Sequence, residues 1–82
     1  MIELTLLSLN KKKEVTVAWI ELNTPDGNFV VQPGYTPAVF LVSAGAEFIY
    51  KLKNGKEEVI VPAEQSLFKI EHSKALLFLQ NL

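Results

Sequence analysis

Hydrophobic and polar residues alternate over most of the chain, and β-branched and aromatic side chains are frequent at the hydrophobic positions. A period of two is typical of β-strands, because successive side chains of an extended chain point to opposite sides. Near the start, Ile2, Leu4 and Leu6 occupy alternate positions, which predicts a first strand with one buried face. Residues 10–13, Asn-Lys-Lys-Lys, predict a polar turn after it.

A second strand is predicted over residues 15–22, where both sets of alternate positions are hydrophobic. The first set is Val15, Val17 and Trp19, and the second is Ala18, Ile20 and Leu22. Because both faces of this strand are apolar, we expect neighbouring structure to cover it on both sides. A tryptophan within such a strand is more often a core residue than a binding residue, so we expect Trp19 in the core.

The dipeptide Asn54-Gly55 lies between two alternating segments and predicts a β-hairpin with a two-residue turn. Asn-Gly favours this turn because both central residues need a positive φ. A two-residue loop fixes the register of the two strands. The opposed pairs are then Lys51 with Glu58, Tyr50 with Val59, and Phe48 with Val61. The predicted buried face of the hairpin consists of Phe48, Tyr50, Leu52, Val59 and Val61.

Further strands are predicted at residues 36–42, 67–70 and 74–80. In the first, we expect Val39 and Leu41 to face inward with either Phe40 or Val42. Residues 75–79 are apolar at every position, so we expect their strand to lie centrally. Short strands without a convincing helix predict an all-β fold, a sandwich or barrel. We predict a two-sheet β-sandwich of roughly eight to ten short strands, forming one domain over residues 1–82.

One segment, DGNFVVQPGYTP at residues 26–37, combines turn residues with apolar ones. It overlaps residues 27–46, which carry no formal charge and match the length of about 20 residues that a membrane-spanning helix needs. Repeated glycines and prolines interrupt the stretch, and a spanning helix does not tolerate so many. We predict a loop followed by a strand. Two interpretations of the loop fit equally: it docks a partner, or it folds over one end of the sandwich.

Composition and charge narrow the possible functions. Eight basic residues against nine acidic ones provide no positive field for a nucleic acid. The absence of cysteine excludes a disulfide framework, a thiolate metal site and a thiol nucleophile. Residues 1–10 carry only Glu3 as a charged side chain, so we expect no secretory signal. An 82-residue domain also has little material for a deep cleft.

No residue set points to a catalytic, cofactor or metal site. The single histidine, His72, lies in a predicted turn, where a lone histidine is usually solvated. Glu57 and Glu58 are adjacent on a strand and would point to opposite faces, so they cannot share a metal. Residues 11–13, three lysines, are better explained as a charged hairpin end than as a phosphate or lipid contact. We predict that the chain is not an enzyme by itself.

A family resemblance is carried by residues 27–37, GNFVVQPGYTP, and by the strands around them. The segment resembles the Gly-Glu-hydrophobic-Gly-hydrophobic-x-Pro-Gly-His-x-Pro signature of the N-terminal β-sandwich domain of the ATP synthase epsilon subunit, called delta in mitochondria. Strands similar to residues 17–22 and 39–42 flank the signature in that family, and a glycine matching Gly45 follows. The hairpin and the final strands come in the family's order, so the resemblance extends over essentially the whole chain.

Six residues keep the signature and three depart from it. The matching residues are Gly27, Phe29, Val31, Pro33, Gly34 and Pro37. Asn28 stands where the family usually has Glu, Val30 where it has Gly, and Tyr35 where it has His. Residues 63–66, Ala-Glu-Gln-Ser, stand in place of a Ser-Gly-Gly turn. The family usually continues into a C-terminal helical hairpin that in bacteria can inhibit hydrolysis. This chain is either a short form lacking that hairpin or a piece of a longer chain, and in both cases the inhibitory role is not assigned to it.

The resemblance implies a non-catalytic central-stalk subunit of a rotary ATP synthase. In the family, this sandwich grips the gamma subunit and contacts the c-ring, coupling proton or sodium flow to ATP synthesis at the cytoplasmic side of the cell membrane. It has no cofactor, and it neither binds nucleic acid nor inserts into the membrane. Partner contact is predicted for Asn28, Phe29, Gln32 and Tyr35. The loop geometry is predicted to depend on Gly27, Pro33, Gly34 and Pro37.

Two other functions remain open on the sequence. The first is a free-standing protein-binding β-sandwich derived from the same family, which the altered turn at residues 63–66 and the expected lack of the helical hairpin favour. The second is an enzyme of the small-barrel kind, for which the sequence names no substrate.

Overall fold

The computed structural model describes residues 1–80, which form eight β-strands. The strands are β1 (Ile2–Leu7), β2 (Lys12–Thr24), β3 (Gly27–Val31), β4 (Ala38–Val42), β5 (Phe48–Leu52), β6 (Glu57–Ile60), β7 (Ser66–Glu71) and β8 (Lys74–Phe78). The predicted all-β sandwich of short strands is confirmed, at the lower end of the expected strand number. The described residues contain no helix of the length and hydrophobicity that crossing a bilayer requires.

The strands are connected in the order β4-β7-β8-β1-β2-β5-β6, and β3 pairs with β2 beside this path. β2 is 13 residues long and is shared by the two layers of the sandwich. β4, β7, β8 and β1 adjoin its first half in one layer, and β3, β5 and β6 adjoin its later part in the other. The first half of β2 pairs with β1, where Val17 lies opposite Ile2, and its second half pairs with β3, where Ile20 lies opposite Val31. At its end, the Asn23 carbonyl accepts a hydrogen bond from the N–H of Ser43, which follows β4 (2.9 Å). β2 and β4 are therefore joined where the two layers meet.

One hydrophobic core fills the space between the layers, and strands of both contribute to it. Its buried members are Ile2, Leu4, Leu6, Val17, Ile20, Leu22, Val31, Val42, Phe48, Tyr50, Phe68, Ile70, Ala75 and Leu77. The predicted inward face of the first strand is confirmed, because its three alternate residues are all buried.

The alternation along β2 changes phase at a β-bulge. Val17 of β2 lies opposite Leu52 of β5, and Trp19 lies opposite Lys51, the residue next to Leu52. Between these two pairs, β2 therefore has one extra residue, Ala18, that has no partner on β5. Val17 is buried before the bulge, and Ile20 is buried after it. The prediction of a strand covered on both faces was wrong, because the bulge moves the inward positions by one residue. Trp19 is half-buried and lies outside the core, so its predicted core position was wrong too.

The hairpin of β5 and β6 exists, but its register differs from the prediction by one residue. Lys51 lies opposite Glu57, and Tyr50 lies opposite Glu58. The Leu52 carbonyl accepts a hydrogen bond from the Gly55 N–H (2.9 Å), and the Leu52 N–H donates to the Lys56 carbonyl (2.7 Å). This is a three-residue loop, a type I turn followed by a bulge at a glycine of positive φ.

The longer loop reverses the two faces of β6. Val59 and Val61, both predicted to be buried, are 51% and 56% exposed. Glu58 and Ile60 are half-buried on the inner side instead. The predicted pairing of Lys51 with Glu58 was therefore wrong, although Phe48 and Tyr50 are buried as predicted.

β4 also turns the opposite face to the core from the one predicted. Val39 and Leu41 are 62% and 51% exposed, whereas Val42 is buried and Phe40 packs against the core. The pairing with β7 explains this arrangement, because Phe40 lies opposite the buried Phe68, and opposed residues share a face. β8 does lie between β7 and β1, as predicted for a central strand.

Candidate functional site

The segment predicted to contact a partner is half strand and half turn. β3 occupies Gly27–Val31 and pairs with the end of β2, so only residues 32–37 form a loop. The prediction of a loop throughout was wrong, because the apolar residues at its start alternate in register with β2. Phe29 lies opposite Leu22, and Val31 lies opposite Ile20. In the first half of the segment, the apolar residues are therefore explained by the pairing of β3 with β2.

The loop begins with a tight turn at residues 32–35. The Tyr35 N–H donates a hydrogen bond to the Gln32 carbonyl (3.1 Å), and Gly34 has a φ of 88°. Proline at the second position and glycine of positive φ at the third are typical of a type II β-turn, here Pro33 and Gly34. Pro37 is exposed directly before β4. The backbone of this loop is thus constrained by residues whose φ values suit the turn.

The four predicted contact residues divide into two exposed and two half-buried side chains. Asn28 is exposed, and its amide donates to the Glu21 carboxylate (3.0 Å) and to the Asn23 side-chain oxygen (3.1 Å). Gln32 is exposed at the start of the turn. Phe29 and Tyr35 pack against the core as partly buried side chains. Of the four, only Asn28 and Gln32 have polar side chains that are fully at the surface.

Phe40 connects the two aromatic contact residues to the core. Its ring centroid lies 5.1 Å from that of Phe29 and 6.2 Å from that of Tyr35. On its other side it lies 6.2 Å from Phe68, which in turn lies 5.7 Å from Phe48. Tilted aromatic pairs of this kind contribute about 0.5–1.5 kcal/mol each beyond the area they bury. Phe40 was not among the predicted contact residues, since its partners come from distant parts of the sequence.

A row of exposed hydrophobic residues crosses the outer face of three neighbouring strands. Leu41 on β4 lies opposite Leu67 on β7, and Leu67 lies opposite Phe78 on β8. These side chains and that of Val39 are between 41% and 62% exposed. We call these four residues the outer-face strip. The sequence signal for three of the four was the pair of runs at residues 38–42 and 75–79, which are apolar at every position; Leu67 lies outside both runs.

The titratable groups of residues 1–80 form no cluster with catalytic geometry. No group of three His, Asp or Glu side chains within this part of the chain is placed to hold a metal. His72 is exposed in the β7–β8 turn, and Glu57 is exposed on the face opposite to Glu58. Burial raises the pKa of the Tyr50 phenol, and the nearby Glu58 carboxylate raises it further. These groups provide no nucleophile with an adjacent base.

Comparison with solved structures finds this fold in two mitochondrial ATP synthases. A chain of the Euglena gracilis enzyme, solved as an OSCP/F1/c-ring assembly in rotational state 1, superposes with a TM-score of 0.86 and 20% identity over 98% of this chain. A chain of the Tetrahymena thermophila central stalk and c-ring superposes with a TM-score of 0.75 and 12% identity, also over 98% of this chain. The chain spans 51% of the first and 63% of the second of these proteins.

The comparisons define the class of fold, a small β-sandwich that occurs in ATP synthase structures. At identities of 20% and 12%, the likeness is one of fold. No protein-family model and no curated protein sequence matches the chain.

Proposed function

We propose that this chain is a non-catalytic central-stalk subunit of a rotary ATP synthase. The observation that carries the proposal is the superposition on a chain of an ATP synthase, with a TM-score of 0.86 over 98% of this chain. The signature-like residues 27–37 support it independently, because they are a likeness of sequence and the superposition is a likeness of fold.

The proposed partners are the gamma subunit and the c-ring. The exposed side chains of Asn28 and Gln32, beside the type II turn, would provide polar contacts. The strand and the turn hold this segment in shape, so binding would cost little ordering entropy. In this role the protein would be a peripheral subunit at the cytoplasmic side of the cell membrane and would couple proton or sodium flow to ATP synthesis.

Co-purification tests the proposal directly. The full chain would be co-expressed with the gamma subunit and the c-ring of the same host and isolated through a tag on gamma. We expect recovery of a stoichiometric complex. Failure of the folded wild-type chain to bind either partner would overturn the stalk function.

Variants test whether the turn takes part. Gln32→Asp places a charge on the exposed turn, and we expect it to weaken binding about tenfold. Asn10→Asp adds the same charge at an exposed position of the β1–β2 turn and serves as the matched control. Tyr35→Asp is a poorer probe, because the Tyr35 ring packs against Phe40. Equal binding of the two single-charge variants would show that the turn is not part of the interface.

A second candidate function is a free-standing protein-binding β-sandwich. The observation that favours it is the environment of Asn28, whose amide is held by Glu21 and Asn23 within the same sheet. That amide replaces the acidic residue usual in the family and is occupied by the chain's own side chains. Retained folding together with no affinity for gamma or the c-ring would support this candidate over the first.

A further inference from the structure

Two of the strands with a free edge, β4 and β6, protect that edge differently. β6 carries Glu57 and Glu58 and follows Lys56, whereas β4 has the sequence Ala-Val-Phe-Leu-Val, without a polar side chain. Natural sheets place charges, prolines or bulges on exposed edges, because the free main-chain groups there pair readily with another extended chain. Pro37 limits only the start of β4. The free edge of β4 is therefore uncharged and open to pairing.

Main-chain groups remain available along that edge. β4 pairs with β7 on one side over its whole length. On the other side, no main-chain hydrogen bond from residues 1–80 reaches Ala38–Val42. The first such bond lies just beyond the strand, from the Ser43 N–H to the Asn23 carbonyl. An incoming strand would find free N–H and C=O groups at alternate residues of β4, since the residues between them direct theirs to β7.

A groove of about 490 Å³ follows this edge. Its lining comes from β4, with the exposed Val39 and Leu41, and from the turn at residues 24–26. Phe29 and Phe40, whose ring centroids lie 5.1 Å apart, complete the lining. The groove is thus apolar where side chains would enter it and polar at the turn.

Asp26 gives the groove a charge preference. Its side chain is exposed, and the Asp26 carboxylate forms no ion pair with any of the residues that the structure describes. A Lys or Arg of a bound segment would meet this carboxylate. A second copy of β4 would bring no basic residue, since β4 contains none.

We propose that this groove binds an extended segment of another protein, which adds to β4 as a further strand. The segment would carry apolar side chains at alternate positions and a Lys or Arg at the end nearest Asp26. Main-chain hydrogen bonds to β4 would supply affinity, and the aromatic lining would select the alternate side chains. This inference does not depend on the proposed stalk function.

Selection from a phage-displayed library of random octapeptides tests the proposal on the full chain. We expect enriched peptides to show alternate apolar residues with Lys or Arg at one end. On binding of the synthetic peptide, amide hydrogen exchange should slow at the alternate residues of β4 whose N–H groups point away from β7. A peptide N-methylated at alternate main-chain nitrogens should bind about tenfold more weakly or worse, since it cannot pair with the strand. Lack of enrichment, or slowed exchange elsewhere only, would overturn the proposal.

Two matched valines provide the variants. Val39→Lys places a charge at the groove, and Val59→Lys does so on β6, where the valine is similarly exposed, at 51% against 62%. Both variants should fold, as measured by circular dichroism, and only Val39→Lys should lose peptide binding by about tenfold or more. Asp26→Lys should change the selected terminal residue from basic to acidic. Equal effects of the two valine variants would contradict the proposal, and a stable dimer that Val39→Lys disrupts would assign the groove to a second copy instead.

Discussion

The aromatic rings of Phe29 and Phe40 lie 5.1 Å apart with an interplanar angle of 44°. Phe29 belongs to β3 and Phe40 to β4, two strands that do not pair with each other. Their contact is therefore one between the two layers of the sandwich, and it is made by side chains without main-chain hydrogen bonds. It also anchors the segment between them, which contains the predicted partner-binding turn.

Removing the Phe40 ring should weaken the whole domain. We expect Phe40→Ala to lower the free energy of unfolding by about 2–4 kcal/mol, because the ring contacts partners on three sides. Urea unfolding followed by circular dichroism measures the change. The adjacent, exposed Val39→Ala should cost about 0.5 kcal/mol or less. Equal losses for the two variants would contradict a connecting role for Phe40.

The type II turn should depend on the backbone of Gly34. A Cβ at this position would meet nothing within 4 Å, so a substitution is penalised only through its φ of 88°. We expect Gly34→Ala to lower the free energy of unfolding by about 1 kcal/mol or more. A chemically synthesised chain with D-alanine at this position should be at least as stable as the wild type, since D-residues favour positive φ. A loss with D-alanine as large as with L-alanine would refute this explanation.

The β7–β8 turn should be improved by substitution. His72 and Ser73 have φ values of 50° and 64°, both in the left-handed region that disfavours residues other than glycine and asparagine. The double variant His72→Asn, Ser73→Gly should raise the free energy of unfolding by about 1 kcal/mol. The hydrogen bond from the Glu3 N–H to the Ser73 carbonyl (2.9 Å) is a main-chain contact and should persist. Thermal unfolding measures the gain, and a lower midpoint would contradict it.

The register of the β5–β6 hairpin can be checked by two truncations. Ile60 is half-buried and faces the core, whereas Val59 is 51% exposed. We expect Ile60→Ala to cost about 1–2 kcal/mol and Val59→Ala about 0.5 kcal/mol or less in the free energy of unfolding. The reverse order of the two effects would favour the two-residue loop that the sequence predicted.

Alkaline pH should weaken the fold through Tyr50. Burial and the Glu58 carboxylate raise its pKa above the ordinary 10.0, so the folded chain retains a proton that the unfolded chain releases. This contribution to stability is complete below about pH 10 and is lost as the pH rises through the folded-state pKa. The difference in unfolding free energy between wild type and Tyr50→Phe should therefore change with pH above about 10. A pH-independent difference would contradict the raised pKa.

The fold class was predictable because alternation with frequent turns is a strong signal for an all-β domain. The inward face of a strand was harder to predict where the residues of that strand are apolar at every position. In β4, only the pairing of Phe40 with Phe68 decides that Val39 points outward. That pairing depends on the tertiary structure, so it cannot be predicted from the periodicity of a five-residue run in which every residue is apolar.

The hairpin shows a second limit. Asn54-Gly55 suits a two-residue turn with two positive φ values, but it also suits a three-residue loop in which Gly55 alone has positive φ, here 92°. The Asn54 side chain favours the latter, because it accepts a hydrogen bond from the Lys56 N–H (2.9 Å). The two loops differ in length by one residue. A shift of one residue in the register turns the inward-facing side chains of the following strand outward and the outward-facing ones inward.

Part of the candidate site followed from local chemistry. The Pro33-Gly34 pair indicates a tight turn from sequence alone, and the structure contains one. The packing of Phe29 and Tyr35 did not follow, since both rings rest on Phe40 from the other layer. Their part in binding a partner stays a prediction.

β2 extends through both layers, pairing with β1 and β5 around its bulge and with β3 beyond it. Neither layer can separate from this strand without exposing core residues of the other. The domain should consequently lose its structure in a single all-or-none transition, with slowly exchanging amides in β1 and β5 opening at one common rate. Under a pulling force, such a body should therefore fail as a unit and not strand by strand.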